Sequence, residues 1–224
     1  MTGRQAEPSH YHYDLNYDHY PVPSEDASLL LNYDAYGIDE RSHPHILMQL
    51  QAQPHVSTLQ VVIHHGNGQQ PQHLYRYLRG LGIPFLQFIP LVAVDDAGNL
   101  TADSVQAEEW GAFLIAVFDL WVQKDIEQIH IRQFDAALDI WRGKSLQVVC
   151  DNAPLTDECR ECSVLCFCQG DCLENRIADG GKSALCAGYH QFFTYSAPYM
   201  KAMRDLLKQH RSPMELMAML AQSR

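Results

Sequence analysis

No cysteine precedes Cys150 in this chain of 224 residues, although seven cysteines lie from that residue to Cys186. This absence excludes a disulfide or a thiolate metal site from the first two thirds of the sequence. No apolar run approaches the roughly 20 residues that a membrane helix needs. Basic residues are also few, with 16 Lys and Arg against 27 Asp and Glu. Nucleic acid and membrane are therefore not expected as partners.

The first residues, Met1 to Pro8, contain no apolar segment of the kind that a signal peptide carries. We therefore expect a cytoplasmic protein, whose thiols stay reduced and favour metal binding over disulfides. Residues 1–42 hold six of the eleven tyrosines and show little apolar periodicity. This composition predicts a poorly ordered extension, followed by ordered parts at 43–142 and 143–224.

An α/β pattern follows the extension. Apolar, β-branched residues predict strands at 59–63 and 84–94, and a helix between them at 71–79. This order is one βαβ unit, with parallel strands and a right-handed crossover. Apolar residues at helical spacing from Trp110 to Trp121 predict a long core helix. A short strand at 129–131 and a helix at 134–141 come next, and two helices are expected after the cysteines. His64, His65 and His130 are interpreted as surface or edge histidines.

The cysteine segment runs Cys159-x2-Cys162-x3-Cys166-x1-Cys168-x3-Cys172, with Cys186 thirteen intervening residues further on. A Cys-x2-Cys loop turns two sulfurs towards one centre, and further thiolates complete a tetrahedral set. Disulfides, a structural zinc site and a four-iron cluster all use such cysteines, and spacing alone does not separate zinc from iron. Cys166 lies between the other positions and is interpreted as a small buried hydrophobe, with a substitute ligand as the alternative.

The sequence around these cysteines is recognisable. Cys159 to Cys172, followed by Leu185-Cys186-Ala-Gly-Tyr189, resembles the auxiliary-cluster (SPASM) domain of anaerobic sulfatase-maturating enzymes, which are radical S-adenosylmethionine proteins. Upstream, Leu86-Gln-Phe-Ile-Pro90 and the segment 111–119 resemble late parts of the partial (β/α)6 barrel of that family. The resemblance implies an α/β fold: a remnant of this barrel, followed by a small, mainly helical and loop-rich cluster-binding domain.

The resemblance also implies a ligand set. The ligands of the outer auxiliary cluster in the family match Cys159, Cys162, Cys168 and Cys186, so one 4Fe-4S cluster is expected. Cys172 and Cys150 match ligands of a second cluster whose other two ligands are absent, so a second cluster is not expected. Asp171 and Leu173 replace a Gly and a Pro of the family, and Ala93 stands where relatives often carry Glu.

The resemblance implies an activity that this sequence does not support alone. Family members use a Cys-x3-Cys-x2-Cys cluster to cleave S-adenosylmethionine and convert a sulfatase cysteine or serine to formylglycine. That motif is missing here, so no catalytic residue is assigned and a partner chain would have to supply the radical cluster. The hypothesis is an iron-sulfur protein, shortened relative to the family, with a sulfatase as the family partner. A zinc-stabilised interaction module and a decayed gene product are the alternatives.

Overall fold

The fold is described from a computed structural model, which covers residues 28–31, 48, 50, 52, 58–144, 154–177 and 181–222. Four parallel strands form one sheet in the order β1-β2-β3-β4, which is also their order along the chain. The strands are β1 (Ser28–Leu31), β2 (Thr58–Ile63), β3 (Phe85–Pro90) and β4 (His130–Ile131). Sequential parallel strands joined by helices are the pattern of a barrel segment, and the predicted α/β fold is confirmed.

Besides a 3₁₀ helix at Leu173–Asn175, eight α-helices are described. They are α1 (His65–Gly68), α2 (Pro71–Gly80), α3 (Ala107–Lys124), α4 (Arg132–Trp141), α5 (Asp157–Glu161), α6 (Leu165–Cys168), α7 (Cys186–Lys208) and α8 (Glu215–Gln222). Met48, Leu50 and Ala52 are also helical. Within the described residues, none of these helices has the length and apolarity that crossing a membrane would require.

The predicted βαβ unit is confirmed. Strand β2 pairs in parallel with β3, with Leu59 opposite Leu86 and Ile63 opposite Pro90. The side chains of Leu59, Val61 and Ile63 alternate along β2 and are fully buried, as the period of a strand requires. Strand β3 is shorter than the predicted 84–94, because its partner strand ends at Ile63. Beyond Pro90 the chain turns back, and Val94 forms an antiparallel bridge with Leu100.

Helix α3 is the centre of the core, as its periodicity predicts. Its buried stripe includes Trp110, Phe113 and Phe118 and packs between the sheet and α7. Phe118 lies edge-on to Phe134 and Phe192, with ring centroids 5.2 and 5.9 Å away. Edge-to-face pairs of this kind add to the free energy of apolar burial. One continuous core therefore joins the sheet to the helices that follow the cysteines.

The two long helices approach unusually closely where α7 begins. A Cβ atom on Gly188 would lie 2.1 Å from the carbonyl oxygen of Ala107 and 2.9 Å from the backbone nitrogen of Gly111. Only glycine permits this separation, so the start of α7 is fixed against the start of α3. Because Cys186 is the first residue of α7, the same contact fixes that cysteine relative to the sheet layer.

The sequence did not predict two of these elements. Strand β1 lies inside the expected extension at 1–42, where it pairs in parallel with β2, Leu29 opposite Leu59. The rest of that extension lies outside the described residues. The second is the short helix α1, which contains Gly66-Asn-Gly68; the His64 side chain caps it by accepting a hydrogen bond from the backbone N–H of Gly66.

Candidate metal centre

Six cysteines lie within the described residues, and all six carry free thiols. Cys159 belongs to α5, Cys162 follows that helix, Cys168 ends α6 and Cys186 begins α7. Cys150, which matches a ligand of the incomplete second cluster, lies outside the described residues. The four cysteines of the predicted outer set are partly buried, whereas Cys166 is exposed. The prediction of Cys166 as a buried hydrophobe is therefore wrong, because its side chain points away from the core.

Short backbone motifs position the first three cysteines. The Thr156 hydroxyl caps α5 by accepting a hydrogen bond from the Cys159 N–H at 3.1 Å. The Cys162 N–H then donates to the carbonyl oxygen of Cys159, and the Cys162 carbonyl accepts from Leu165. These consecutive turns carry the chain from Cys159 to Cys168 in a tight path.

The thiols influence one another electrostatically. The pKa of Cys168 is raised to about 11, chiefly by burial; a backbone hydrogen bond from Gly170 opposes the rise, and the charges of Cys162, Cys186 and Asp171 add to it. Burial also raises the pKa of Cys186; Lys182 opposes this change, and Cys159 and Cys162 add to it. All four predicted ligands are therefore linked through these effects.

The thiols are near one another but do not surround a common point. In the part of the chain that the structure describes, no three His, Cys, Asp or Glu side chains have the arrangement of a metal site. Burial raises the pKa of Tyr189, and the charges of Asp171, Cys172 and Cys168 add to this rise. Cys172 therefore adjoins the same region as Cys168. The chemistry of the donor set, which consists of four sulfurs, fits a thiophilic metal or an iron-sulfur cluster.

A left-handed loop follows Cys168. Gln169, Gly170 and Asp171 all have positive φ angles, of 50°, 83° and 63°. Glycine is required in the middle position, where a Cβ atom would lie 2.3 Å from a methyl group of Leu155 and 2.8 Å from the Arg176 guanidinium. Arg176 donates hydrogen bonds to the carbonyl oxygens of Gly170 and Asp171, at 2.8 and 3.0 Å. The guanidinium thereby holds in place a loop in which Gln169 and Asp171 adopt a strained left-handed backbone.

Asp171 is the polar centre of this region. Its carboxylate is buried and accepts hydrogen bonds from the Ser183 hydroxyl at 2.7 Å, the Cys172 N–H at 2.8 Å and the Asn175 amide at 3.2 Å. Burial raises the pKa of Asp171, and the hydrogen bond from Ser183 is the largest opposing effect. Ser183 in turn accepts from the Leu185 N–H at 3.0 Å. Asp171 thus joins the loop after Cys168 to the residues that lead into Cys186.

The sequence noted Asp171 only as a departure from the family and did not predict this role. The positive φ angle at position 171 suits both this Asp and the Gly of the family, because Asp tolerates the left-handed region better than most side chains. The hydrogen bond between Asp171 and Ser183 joins residues twelve positions apart, so no local sequence pattern predicts it.

The histidines are not part of this centre. His64 is 5% exposed, so its interpretation as a surface residue is wrong; its ring nitrogen caps α1. His65 is exposed and pairs with Glu109 at 2.9 Å. His130 lies on β4, which ends the described sheet, and stacks on Phe85 with ring centroids 4.9 Å apart. At Ala93, where relatives often carry Glu, the backbone N–H donates to the Ser104 hydroxyl at 2.9 Å.

The chain has relatives among curated proteins. It is 45% identical over 160 residues to the uncharacterized protein YidF of Escherichia coli, covering 71% of this chain and 90% of YidF. It is 26% identical over 232 residues to a serine-type anaerobic sulfatase-maturating enzyme of Bacteroides thetaiotaomicron, covering 71% of this chain and 56% of the enzyme. A corresponding enzyme of Klebsiella pneumoniae is 24% identical, with 66% of this chain and 50% of the enzyme covered. The chain thus spans about half the length of these maturases. No family model matches it.

Solved structures show the same fold. Native anSMEcpe with bound AdoMet and Cp18Cys peptide superposes with a TM-score of 0.58 at 17% identity, covering 80% of this chain and 69% of that one. Native anSMEcpe with bound AdoMet gives 0.55 at 19% identity, with 75% and 63% covered. The resemblance seen in the sequence is confirmed: the chain belongs to the family of Escherichia coli YidF and is a homologue of the serine-type anaerobic sulfatase-maturating enzymes of the radical S-adenosylmethionine superfamily.

Proposed function

We propose that this protein binds one 4Fe-4S cluster through Cys159, Cys162, Cys168 and Cys186, and that it carries electrons without generating a radical by itself. The observation that supports the proposal most is that these four cysteines are free and partly buried, with Cys159 in α5, Cys162 directly after it, Cys168 at the end of α6 and Cys186 at the start of α7. The cluster would supply one-electron transfer when bound. A reducing cytoplasm would keep the thiols available for it.

The protein's own groups would orient and hold the ligands. Thr156 fixes the first turn, and Asp171 fixes the loop between Cys168 and Cys186. The Gly170 backbone hydrogen bond to Cys168 favours the thiolate form, as hydrogen bonds to cluster sulfurs do. The exposed position of Cys166 leaves it outside the proposed set.

The test is anaerobic purification with analysis of iron, sulfide and zinc, together with an absorbance spectrum. We expect about four irons per chain and a broad absorbance band at about 400 nm, as iron-sulfur clusters ligated by four thiolates show. Cys162→Ser should abolish most of the iron content. Cys166→Ser is the matched control, since it removes a thiol from the same segment, and it should leave iron unchanged. A colourless protein with stoichiometric zinc would refute the cluster and favour the zinc-stabilised module.

Radical chemistry on a sulfatase is proposed only with a second component. This sequence contains no Cys-x3-Cys-x2-Cys motif, and the maturases that it matches are about twice the length of the matched part. We expect no formylglycine on a sulfatase peptide when the chain is incubated with S-adenosylmethionine and a reductant. Measurable turnover by the chain alone would show that another group replaces the missing cluster.

The third alternative, a decayed gene product, predicts a chain that does not fold cooperatively. The continuous core around α3 supports a folded protein instead. The matched region also makes up 90% of YidF, so the same unit recurs in a second protein. A single cooperative thermal transition of the purified chain is expected, and a transition without cooperativity would favour the decayed product.

A further inference from the structure

One ion pair joins the two ends of the candidate metal centre. The Lys182 ammonium donates a hydrogen bond to the Glu158 carboxylate at 2.6 Å, between residues 24 positions apart. Glu158 directly precedes Cys159 in the first turn of α5. Lys182 lies four residues before Cys186, whose backbone N–H donates to the carbonyl oxygen of Ser183 at 3.2 Å. The pair therefore connects the helix of the first proposed ligand to the turn that leads into the last.

The backbone that carries Lys182 is anchored in the buried polar network. The Ser183 hydroxyl donates to the Asp171 carboxylate at 2.7 Å, and the Ala184 N–H donates to the carbonyl oxygen of Asn175 at 2.8 Å. Both acceptor residues are buried. Because the two residues after Lys182 are held in this way, its side chain starts from a fixed position, and it is 37% exposed.

The charge of Lys182 acts on the neighbouring thiols. Burial raises the pKa of Cys186, and Lys182 is the largest opposing effect. The hydrogen bond to Glu158 raises the pKa of Lys182, and the charge of Cys186 is the next largest cause of that rise. The ammonium is therefore charged at neutral pH, and it favours negative charge on the sulfur atoms beside it.

Glu158 offsets only part of this effect. Its charge raises the pKa of Cys186, but it is the smallest of the causes that act on that thiol, whereas Lys182 is second only to burial. The Glu158 side chain is also 74% exposed, so water and salt screen its charge more than that of Lys182. The pair as a whole therefore presents positive charge to the proposed ligands.

We infer that Lys182 raises the reduction potential of the proposed cluster and so favours its reduced form. The inference deepens the proposed function and rests on it. Reduction adds one electron from an external reductant, with no bond made or broken and no proton moved, so the negative charge of the cluster and its four thiolates grows by one unit. A fixed cation beside these sulfurs stabilises the more negative state, since local charge is one of the factors that set such potentials.

The experiment is a redox titration of the anaerobically purified full chain with dithionite, followed by the absorbance at about 400 nm. Lys182→Gln should lower the midpoint potential. At a fixed potential the ratio of oxidised to reduced protein should rise by about threefold or more, which is about 30 mV for a one-electron couple. The shift should shrink as salt is added, because the ammonium is partly exposed.

Glu158→Gln separates the charge of Lys182 from a merely structural role of the ion pair. It breaks the same hydrogen bond as Lys182→Gln but removes a charge of the opposite sign, so the midpoint potential should rise. A pair that only held the segment together would shift the potential in the same direction in both variants. Lys182→Arg keeps the positive charge and should retain the wild-type potential.

Lys124→Gln is the matched control, because it makes the same change in charge at another exposed lysine. Lys124 ends α3, whereas the start of α3 meets α7 at Gly188, close to Cys186. The 18 residues of α3, at about 1.5 Å each, place Lys124 about 25 Å from that contact. This distance exceeds the Debye length of about 10 Å at 0.1 M salt, so the potential should not change.

Three results would overturn the inference: an unchanged potential in Lys182→Gln, an equal shift in Lys124→Gln, or shifts of the same sign in Lys182→Gln and Glu158→Gln. If Lys182→Gln does not retain iron, Glu158→Gln decides alone, since a potential that does not rise in that variant overturns the inference. Iron and zinc are measured on every sample. Bound iron with an unchanged potential defeats only the role of Lys182, whereas zinc in place of iron defeats the cluster and this inference with it.

Discussion

The sheet layer and the cysteine segment are stabilised in different ways. Between residues 58 and 141, strands and helices bury large apolar side chains, among them Trp110, Phe118 and Phe134. In the described residues from 154 to 186, only Val164 and Leu185 are buried hydrophobic residues. There the buried groups are polar, with Asp171, Asn175 and Ser183 bonded to one another and to the backbone.

The difference indicates how each region depends on its surroundings. An apolar core is non-directional and tolerates small shifts, whereas a buried carboxylate needs each of its donors in place. We therefore expect the sheet layer to fold without metal, and the cysteine segment to depend on its hydrogen bonds and on what its thiols bind. The predictions below test this contrast, beginning with the largest effect.

Phe118→Ala should destabilise the whole protein, by about 3–5 kcal/mol, because it removes a buried ring from the centre of the core. The measurement is the free energy of unfolding in urea. Leu173→Ala, in the cysteine segment, is the comparison; that side chain is 49% exposed, and its loss should change stability by less than about 0.5 kcal/mol. Equal losses in both variants would mean that the two regions share one type of core.

Gly188→Ala should push the start of α7 away from the start of α3, since the added methyl group would collide with the backbone of Ala107 and Gly111. Overpacking of this kind costs about 1–3 kcal/mol, and we also expect weaker metal uptake because Cys186 moves with α7. Gly80→Ala is the control, because nothing lies within 4 Å of its Cβ position. Normal stability of Gly188→Ala would show that the helices can move apart freely.

Asp171→Ala should damage the cysteine segment selectively. It leaves the buried hydrogen-bond donors of Ser183 and Asn175 without their acceptor, which costs about 1–3 kcal/mol. Hydrogen exchange should accelerate at residues 172–177 and 181–186 and stay unchanged in α3, and Zn²⁺ or iron should bind more weakly. Asp157→Ala is the control, since that carboxylate is 93% exposed and its ion pair contributes little. Uniform acceleration of exchange in both regions would contradict a local role.

The smallest predicted effect is a pH dependence in the sheet layer. The hydrogen bond to Asp135 raises the pKa of His130 above its ordinary value; burial opposes this rise, and the charges of Asp135 and Glu127 support it. A raised pKa means that the folded state binds the proton more tightly. The stabilisation is therefore complete below about pH 6.5 and is lost as the pH rises through the folded-state pKa.

Asp135→Asn should lower the pKa of His130 in an NMR titration and reduce stability at low pH only. Unfolding in urea at several pH values measures this. The deficit of the variant should shrink as the pH rises above the pKa of His130 in the folded wild type; burial raises the pKa of Asp135, so its ionised form costs stability there and Asn removes that cost. A stability difference that does not vary with pH would show that the pair acts through packing alone.

Much of the sheet layer could be predicted because its signals are local. The strand periodicity at 59–63 and the helical spacing from Trp110 to Trp121 each report burial of one face, and both elements formed as expected. Strand β1 was missed because its four residues lie in a polar, Tyr-rich stretch without alternation, and they gain order only by pairing with β2. The end of β3 was misplaced because its partner strand, and not its own sequence, determines where pairing stops.

The cysteine spacing and the residues around it were sufficient to name the family and to propose Cys159, Cys162, Cys168 and Cys186 as ligands. The resemblance to the family implied this ligand set, because spacing alone does not separate a zinc site from an iron-sulfur cluster. The tertiary structure alone decided that Asp171 is buried against Ser183, that Gly188 fixes α7 against α3, and that Lys182 pairs with Glu158. These contacts join residues far apart along the chain, and only the packing of the core brings them together.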